Sequence, residues 1–272
     1  WHLAARGEVY WCRDNPEEAI DVNVNGTLNI LKQAKRLKAK HFYFADTSAE
    51  YDSFTEKEHY PTAEWMAPNT ITPMGYYAIT KMAASQFVRS FGKTNDIGTT
   101  LFRYTNIYGP SMNLERDIPP VVGSFASCLF DNKAPIIYGD GEQKRCFSYI
   151  DDCIKCLVPM LDQKNLNKQI INIGPDEEFV TINKVAEICS NVTGSNLKPK
   201  YVTDRPQEVK FAHCSADKAR EILGYNTSVS LDESIEKIAN WIIEVGPKKF
   251  RYHLDIEILN DNTPKTWTKK LF

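Results

Sequence analysis

The strongest limit on what this chain can fold into is the alternation of two apolar strands with long amphipathic helices. HFYFAD at 41–46 reads as a short aromatic strand and TTLFRYTNIYG at 99–109 as a second, with a helix expected between them over about 77–92. Strand–helix–strand at this spacing argues for a parallel sheet covered by helices. An earlier helix is expected over 16–38. Asn15 and Pro16 suit its start, Glu17 and Glu18 lie in its first turn, and Lys32, Lys35, Arg36 and Lys38 lie near its end. That distribution complements the helix dipole. Ile20, Val24, Leu28, Leu31 and Leu37 recur at helical spacing and are expected to form one buried face.

Between 52 and 76 runs a long polar loop with Pro61, Pro68 and Pro73, and loops of that length are more often functional than idle. After Pro110 the pattern becomes irregular, with Pro119-Pro120 and a turn at Tyr138-Gly139-Asp140-Gly141. A strand at 169–174, a helix at 181–193 and an amphipathic helix at 231–245 follow. The tail, 246–272, has no clear period.

With 42% hydrophobic and 25% charged residues, 272 residues can bury a large core. A formal net charge of −2 offers no general attraction to nucleic acid or an anionic membrane. Phosphate must therefore be held by individually placed Arg or Lys. No apolar run approaches the roughly 20 residues that span a bilayer. The seven cysteines lack framework spacing, which suits reduced thiols and a cytoplasmic location. Cys153 and Cys156 form a CxxC on an expected helix with no second ligand pair, so buried thiols and no metal are expected.

The chemistry centres on Tyr77-Ala-Ile-Thr-Lys81. Residues four apart share a helix face, so phenol and ammonium converge on one ligand. A phenol near pKa 10 is a poor base at neutral pH, and a nearby cation favours its phenolate. On its own, YxxxK is a weak signal.

Its context is not weak. HLAA (2–5), NVNGTLNIL (23–31), ADTSAEY (45–51), RYTNIYGP (103–110), YGDGEQKRCFSYIDD (138–152), NIG (172–174), RPQEV (205–209) and SADKAREILGY (215–225) follow one another around the YxxxK. In that order they resemble the extended short-chain dehydrogenase/reductase family, the nucleotide-sugar epimerases and dehydratases. The resemblance implies an α/β fold: a partial Rossmann-like, doubly wound parallel sheet with a smaller α+β substrate domain. Residues 1–109 and 148–175 would form the dinucleotide-binding part, 110–147 and 176–245 the substrate-binding part, and 246–272 a tail. It implies NAD as cofactor and a nucleoside-diphosphate sugar as substrate. Ala4 and Ala5 would lie beside the nicotinamide. Thr47 would bond the reacting sugar oxygen, Tyr77 would be the acid/base, and Lys81 would lower its pKa and contact the cofactor ribose. Asn106, Arg145, Arg205 and Glu208 would hold the sugar nucleotide. Against these roles stand plainer ones: Asn106 as a turn residue, and Arg145 as a partner of Asp151 or Asp152. A homodimer built on the helices at 16–38 and 77–92 is expected.

Departures from the pattern carry information. Asp52 stands where the family usually has Gly, and Cys146 where it has Asp. Ala49 stands where dehydratases and glucuronate decarboxylases carry Glu, and alanine transfers no proton. That favours epimerisation at C4 through a transient 4-keto sugar over dehydration or decarboxylation, with a non-catalytic sugar-nucleotide binder as the alternative outside enzymes. Glu50, one residue on, is expected on the opposite strand face. No Gly-rich dinucleotide fingerprint occurs. The chain is therefore expected to be a fragment lacking its leading strands, with weak NAD binding and an open sheet edge.

Overall fold

The computed structural model describes residues 1–52, 59–66, 75–114, 120–162, 165–203 and 208–245. Outside them lie most of the polar loop, with Pro68 and Pro73, then Pro119, Arg205 and the tail at 246–272.

Three short helical pieces open the chain: α1 (Val9–Asp14), α2 (Pro16–Ile20) and, beyond a π turn at Asp21–Asn25, α3 (Gly26–Arg36). Strand β1 (His41–Thr47) runs into a 3-10 turn, Ser48–Tyr51. Helix α4 (Tyr76–Asn95) leads to β2 (Gly98–Tyr104), β3 (Ile107–Tyr108) and α5 (Val121–Phe130). Three short strands, β4 (Ile136–Tyr138), β5 (Lys144–Arg145) and β6 (Ser148–Tyr149), precede α6 (Ile150–Leu157) and β7 (Gln169–Ile173). The remainder is β8 (Val180–Thr181), α7 (Ile182–Thr193), β9 (Lys200–Val202), β10 (Phe211–Ala212), α8 (Asp217–Leu223) and α9 (Leu231–Val245).

The main sheet is parallel in the order β1-β2-β7, and His2 bridges to Phe44 on the other side of β1. Its strands are apolar on both faces, as a sheet covered twice requires. Phe42, Phe44 and Leu101 pack with Leu31, Ala84 and Val88 on the α3/α4 side. Tyr43, Phe102 and Ile171 pack with Cys153, Cys156 and Ala219 on the α6/α8 side. Period-two alternation thus sends successive residues to opposite helical layers, the doubly wound α/β arrangement. Helix α8 falls within the stretch assigned above to the substrate part, yet it packs on the sheet.

A second core joins α5, α7 and α9 through Val122, Phe125, Leu129, Val185, Ile188, Ile235 and Ile238. Two strand pairs, β3 with β6 and β4 with β9, and a three-stranded sheet, β10-β5-β8, frame it. Helices α1 and α5 were not legible in the pattern.

The face expected for the first long helix needs correction. Ile20 is 49% and Leu37 75% exposed, while Ala19, Asn23, Thr27 and Leu31 are buried. Leu31 and Leu28 of the expected face do pack in the core, and the π turn, by inserting an extra residue into the helical period, turns Ile20 out of the buried stripe. Leu37 lies past the last helical residue, as its C-cap. The strand expected at 99–109 also breaks, because Asn106 takes a left-handed φ of 41° between β2 and β3.

Candidate active site

The C-terminal ends of β1 and β2, where ligands of open α/β sheets bind, meet the start of α4. Thr47 closes β1 opposite Tyr104. Its Oγ1 accepts a hydrogen bond from the Ala49 amide at 3.2 Å, which caps the 3-10 turn and leaves the hydroxyl proton for a ligand. The turn directs Ser48 and Ala49 toward a cavity of about 280 Å³, and Tyr77, Asn106 and Arg145 line the same space. A second cavity of about 340 Å³ shares Asn106 and Arg145 with the first and adds Glu208 and Tyr138.

Glu50 does not sit on the opposite strand face, since its residue is part of the turn. It is fully buried, with Arg103 Nη2 at 2.5 Å from Oε2 and Ser85 Oγ donating to Oε1 at 3.3 Å. Arg103 also donates to the Tyr51 hydroxyl at 2.8 Å and reaches Asp46 at 3.4 Å. Tyr51 in turn donates to Asn172 at 2.9 Å. Burial pushes the carboxyls of Asp46 and Glu50 upward, and for Glu50 the Asp46 charge adds to the effect. Both acids face one guanidinium in a dry interior, so their titrations are coupled. This network anchors the turn from below.

Lys81 lies one helical turn after Tyr77 and is almost fully buried. Its Nζ donates to the Ala45 carbonyl at 2.6 Å and stands 4.1 Å from the Phe44 ring centroid. Burial lowers its pKa to about 8, against the pull of Asp46 and Glu50. One ammonium hydrogen bond is committed to Ala45, which leaves two N–H groups to donate.

Asn106 is exposed and does hold a turn: Nδ2 donates to the Cys146 carbonyl at 2.9 Å, leaving its Oδ1 for other partners. Arg145 pairs with Glu208 at 2.8 Å, and neither Asp151 nor Asp152 is its partner. Asp152 instead accepts from the Ser228 amide at 3.0 Å. Ala4 and Ala5 are exposed just beyond the His2 bridge and line neither cavity. Arg205 lies outside the described residues. Gly174, at φ 151°, is required where it stands, because a Cβ there would meet Ser148 Oγ at 2.4 Å and Thr105 Cβ at 3.0 Å. All seven thiols are free, Cys153 and Cys156 are buried, and no metal-holding group of His, Cys, Asp or Glu occurs among the described residues.

Sequence reasoning missed Asn23. Seated in the π turn, it accepts from the Arg6 amide at 2.7 Å and donates to Thr80 Oγ1 at 3.0 Å, tying the opening segment to α4. A π turn often marks a functional position, but a polar residue in an otherwise ordinary helical run gave no signal of it.

A family model described as the NAD dependent epimerase/dehydratase family matches residues 1–174. The chain belongs to this family. A UDP-glucuronate 4-epimerase of Thermodesulfobacterium geofontis is 30% identical over 240 residues, 88% of this chain and 71% of the relative. The crystal structure of a UDP-glucose 4-epimerase from Thermotoga maritima with UDP-glucose superposes with a TM-score of 0.82 at 26% identity, covering 89% of this chain and 76% of that one. A UDP-glucuronic acid 4-epimerase from Bacillus cereus, solved with UDP-glucuronic acid and NAD, gives 0.79 at 26% identity over 90% and 74%. The cofactor of this family is NAD, and the donor set at the end of β1 fits a ligand rich in hydroxyls. An ammonium with two N–H groups to spare and a phenol one turn away suit ribose hydroxyls.

Proposed function

We propose that this protein epimerises a nucleoside-diphosphate sugar at C4. The observation that carries the reading is the pair of joined cavities. One holds Thr47 and Tyr77, the other Glu208 and Tyr138, and Arg145 stands at their junction. An elongated ligand with a sugar at one end, a base at the other and two phosphates between has that shape. A guanidinium at the midpoint suits the diphosphate.

In this reading Thr47 donates its hydroxyl proton toward the sugar's O4, and Tyr77 takes the proton from that oxygen and later returns it. Lys81 holds positive charge beneath the site, favours the phenolate and contacts the cofactor ribose; Ala4 and Ala5 flank the nicotinamide. NAD, when bound, supplies the hydride acceptor and donor. Asn106, Arg145, Arg205 and Glu208 hold the nucleotide. Residues 1–109 and 148–175 serve the cofactor, and 110–147 with 176–245 the substrate. Ala49 lines the first cavity with a methyl group, so this position offers no acid for loss of water or carbon dioxide.

Exposed Ile79 and Phe87, two turns apart on α4, with Ile20 on α2, support a homodimer through these helices. Free, mostly buried thiols suit a cytoplasmic setting. Among the described residues no helix is long and apolar enough to cross a membrane.

The test is product analysis with NAD and UDP-glucose. Inversion at C4 with unchanged mass supports epimerisation, whereas loss of water, or of carbon dioxide from UDP-glucuronate, assigns the dehydratase or decarboxylase reading. UDP binding without any conversion assigns the non-catalytic one. Tyr77→Phe should lower turnover by roughly 10² to 10⁴.

A further inference from the structure

Two buried acids and two buried cations meet where β1 ends: Asp46 and Glu50 against Arg103 and Lys81. Arg103 is committed first to Glu50, with Nη2 at 2.5 Å from Oε2, and approaches Asp46 only at 3.4 Å through Nε. Oδ1 of Asp46 has no hydrogen-bond partner among the described residues, although the residue is buried. Strand alternation puts this carboxylate on the Lys81 side of the sheet. Phe44, two residues earlier, packs with Ala84 and Val88 of α4, and Asp46 shares its face. Lys81 Nζ stands 4.1 Å from the Phe44 ring centroid, and Ser85, one turn further along α4, donates to Glu50 at 3.3 Å. Ammonium and acids are thus enclosed between one strand face and one helix face. The other titratable groups around this enclosure are Arg103 on β2, His2 on the opening segment and Tyr77 on α4 itself.

We propose that Asp46 is a positioning residue: its charge, left over from the Arg103–Glu50 pair, holds Lys81 as an ammonium beneath Tyr77. The inference rests on the reading of Tyr77 as the acid/base. A buried amine without a nearby anion gives up its proton, and burial already lowers Lys81 to about 8 against the pull of these acids. Removing one unit charge from such an enclosure changes protonation by on the order of tenfold. A neutral Lys81 would leave the Tyr77 phenol near the ordinary tyrosine value of about 10, where it is a poor base at neutral pH.

NMR titration of the whole chain, with its lysines carbon-13 labelled at Cε, reads this charge without substrate or cofactor. The Lys81 resonance is assigned by its loss in Lys81→Met. Its midpoint should drop from about 8 to about 7 or lower in Asp46→Asn, which keeps the size of the side chain. Asp46→Ser, smaller and uncharged, should lower it likewise and serves if the amide is not tolerated. With NAD and UDP-glucose, Asp46→Asn should lower turnover about tenfold at pH 7 and regain it as pH rises. A purely structural defect would lower turnover evenly at every pH. A midpoint that neither substitution moves overturns the proposal, as does a turnover loss independent of pH. Absence of any product from the unchanged chain counts against the epimerase reading instead, and the lysine titration then decides the role of Asp46.

Discussion

The two halves of the molecule solve the burial problem in opposite ways. The helical lobe encloses an apolar core of Val, Ile, Leu and Phe from α5, α7 and α9, with Ser234 and Tyr108 hydrogen-bonded inside it. The sheet half buries Asp46, Glu50, Lys81 and Arg103 around the end of β1. Buried charges are poor stabilisers, because desolvation offsets most of what pairing returns. Their value lies in position: they fix the turn carrying Ser48 and Ala49 and keep an ammonium below Tyr77. One half is packed to shape a cavity, and the other carries polar groups to equip one.

Breaking each core should expose the difference. Arg103→Leu removes the cation paired with Glu50 and Asp46 and strands two acids, so a loss of about 3–5 kcal/mol in urea unfolding is expected. That loss should shrink on acidification, since protonated acids need no counter-charge. Glu50→Gln, which imitates the protonated acid, should cost only about 1 kcal/mol. If the two substitutions cost the same, the cluster is not ionic in the sense described. Ile235→Ala, at a fully buried lobe position, should cost about 2–4 kcal/mol through the cavity it leaves, with no dependence on pH.

The same contrast explains what could be read from sequence. The parallel sheet, α4, α7 and α9 were legible because their apolar periods match their burial. The YxxxK pair and Thr47 could be singled out as candidates because a family order surrounds them. Glu50 was misplaced because alternation continues only as long as the strand does, and a hydroxyl cap ends β1 one residue before Ser48. The first long helix was mis-phased because a π turn resets the period without leaving a composition signal. Asp52 stood out only as a departure, and its placement beside Thr47 and Tyr77 in the first cavity needed coordinates. Where polar groups are buried for position, hydrophobic pattern is a weak guide.

A smaller effect sharpens the comparison at the sheet's edge. His2 is buried beside β1, with Nε2 3.0 Å from Thr27 Oγ1. Burial, helped by the charge of Lys81, lowers its pKa from 6.5 to about 4. Between those values the unfolded chain binds a proton that the folded chain refuses, so stability is lost as pH falls from about 6.5 to about 4. His2→Gln should flatten that part of the profile by on the order of 2 kcal/mol relative to the parent. An unchanged slope in paired pH-dependent melts would mean that the imidazole is not held neutral.

The smallest effect belongs to the lobe. Thr181 caps α7 by accepting the Lys184 amide at 3.1 Å, and it does so in partial exposure. Thr181→Ala removes one cap and should cost about 1 kcal/mol. Thr181→Ser, which keeps the acceptor, should recover most of it. Because the cap involves no titrating group, the loss should be the same at pH 5 and pH 8. A loss that varied with pH would show that the lobe's stability is coupled to the charged network in the sheet, and the division between the two halves would then be wrong.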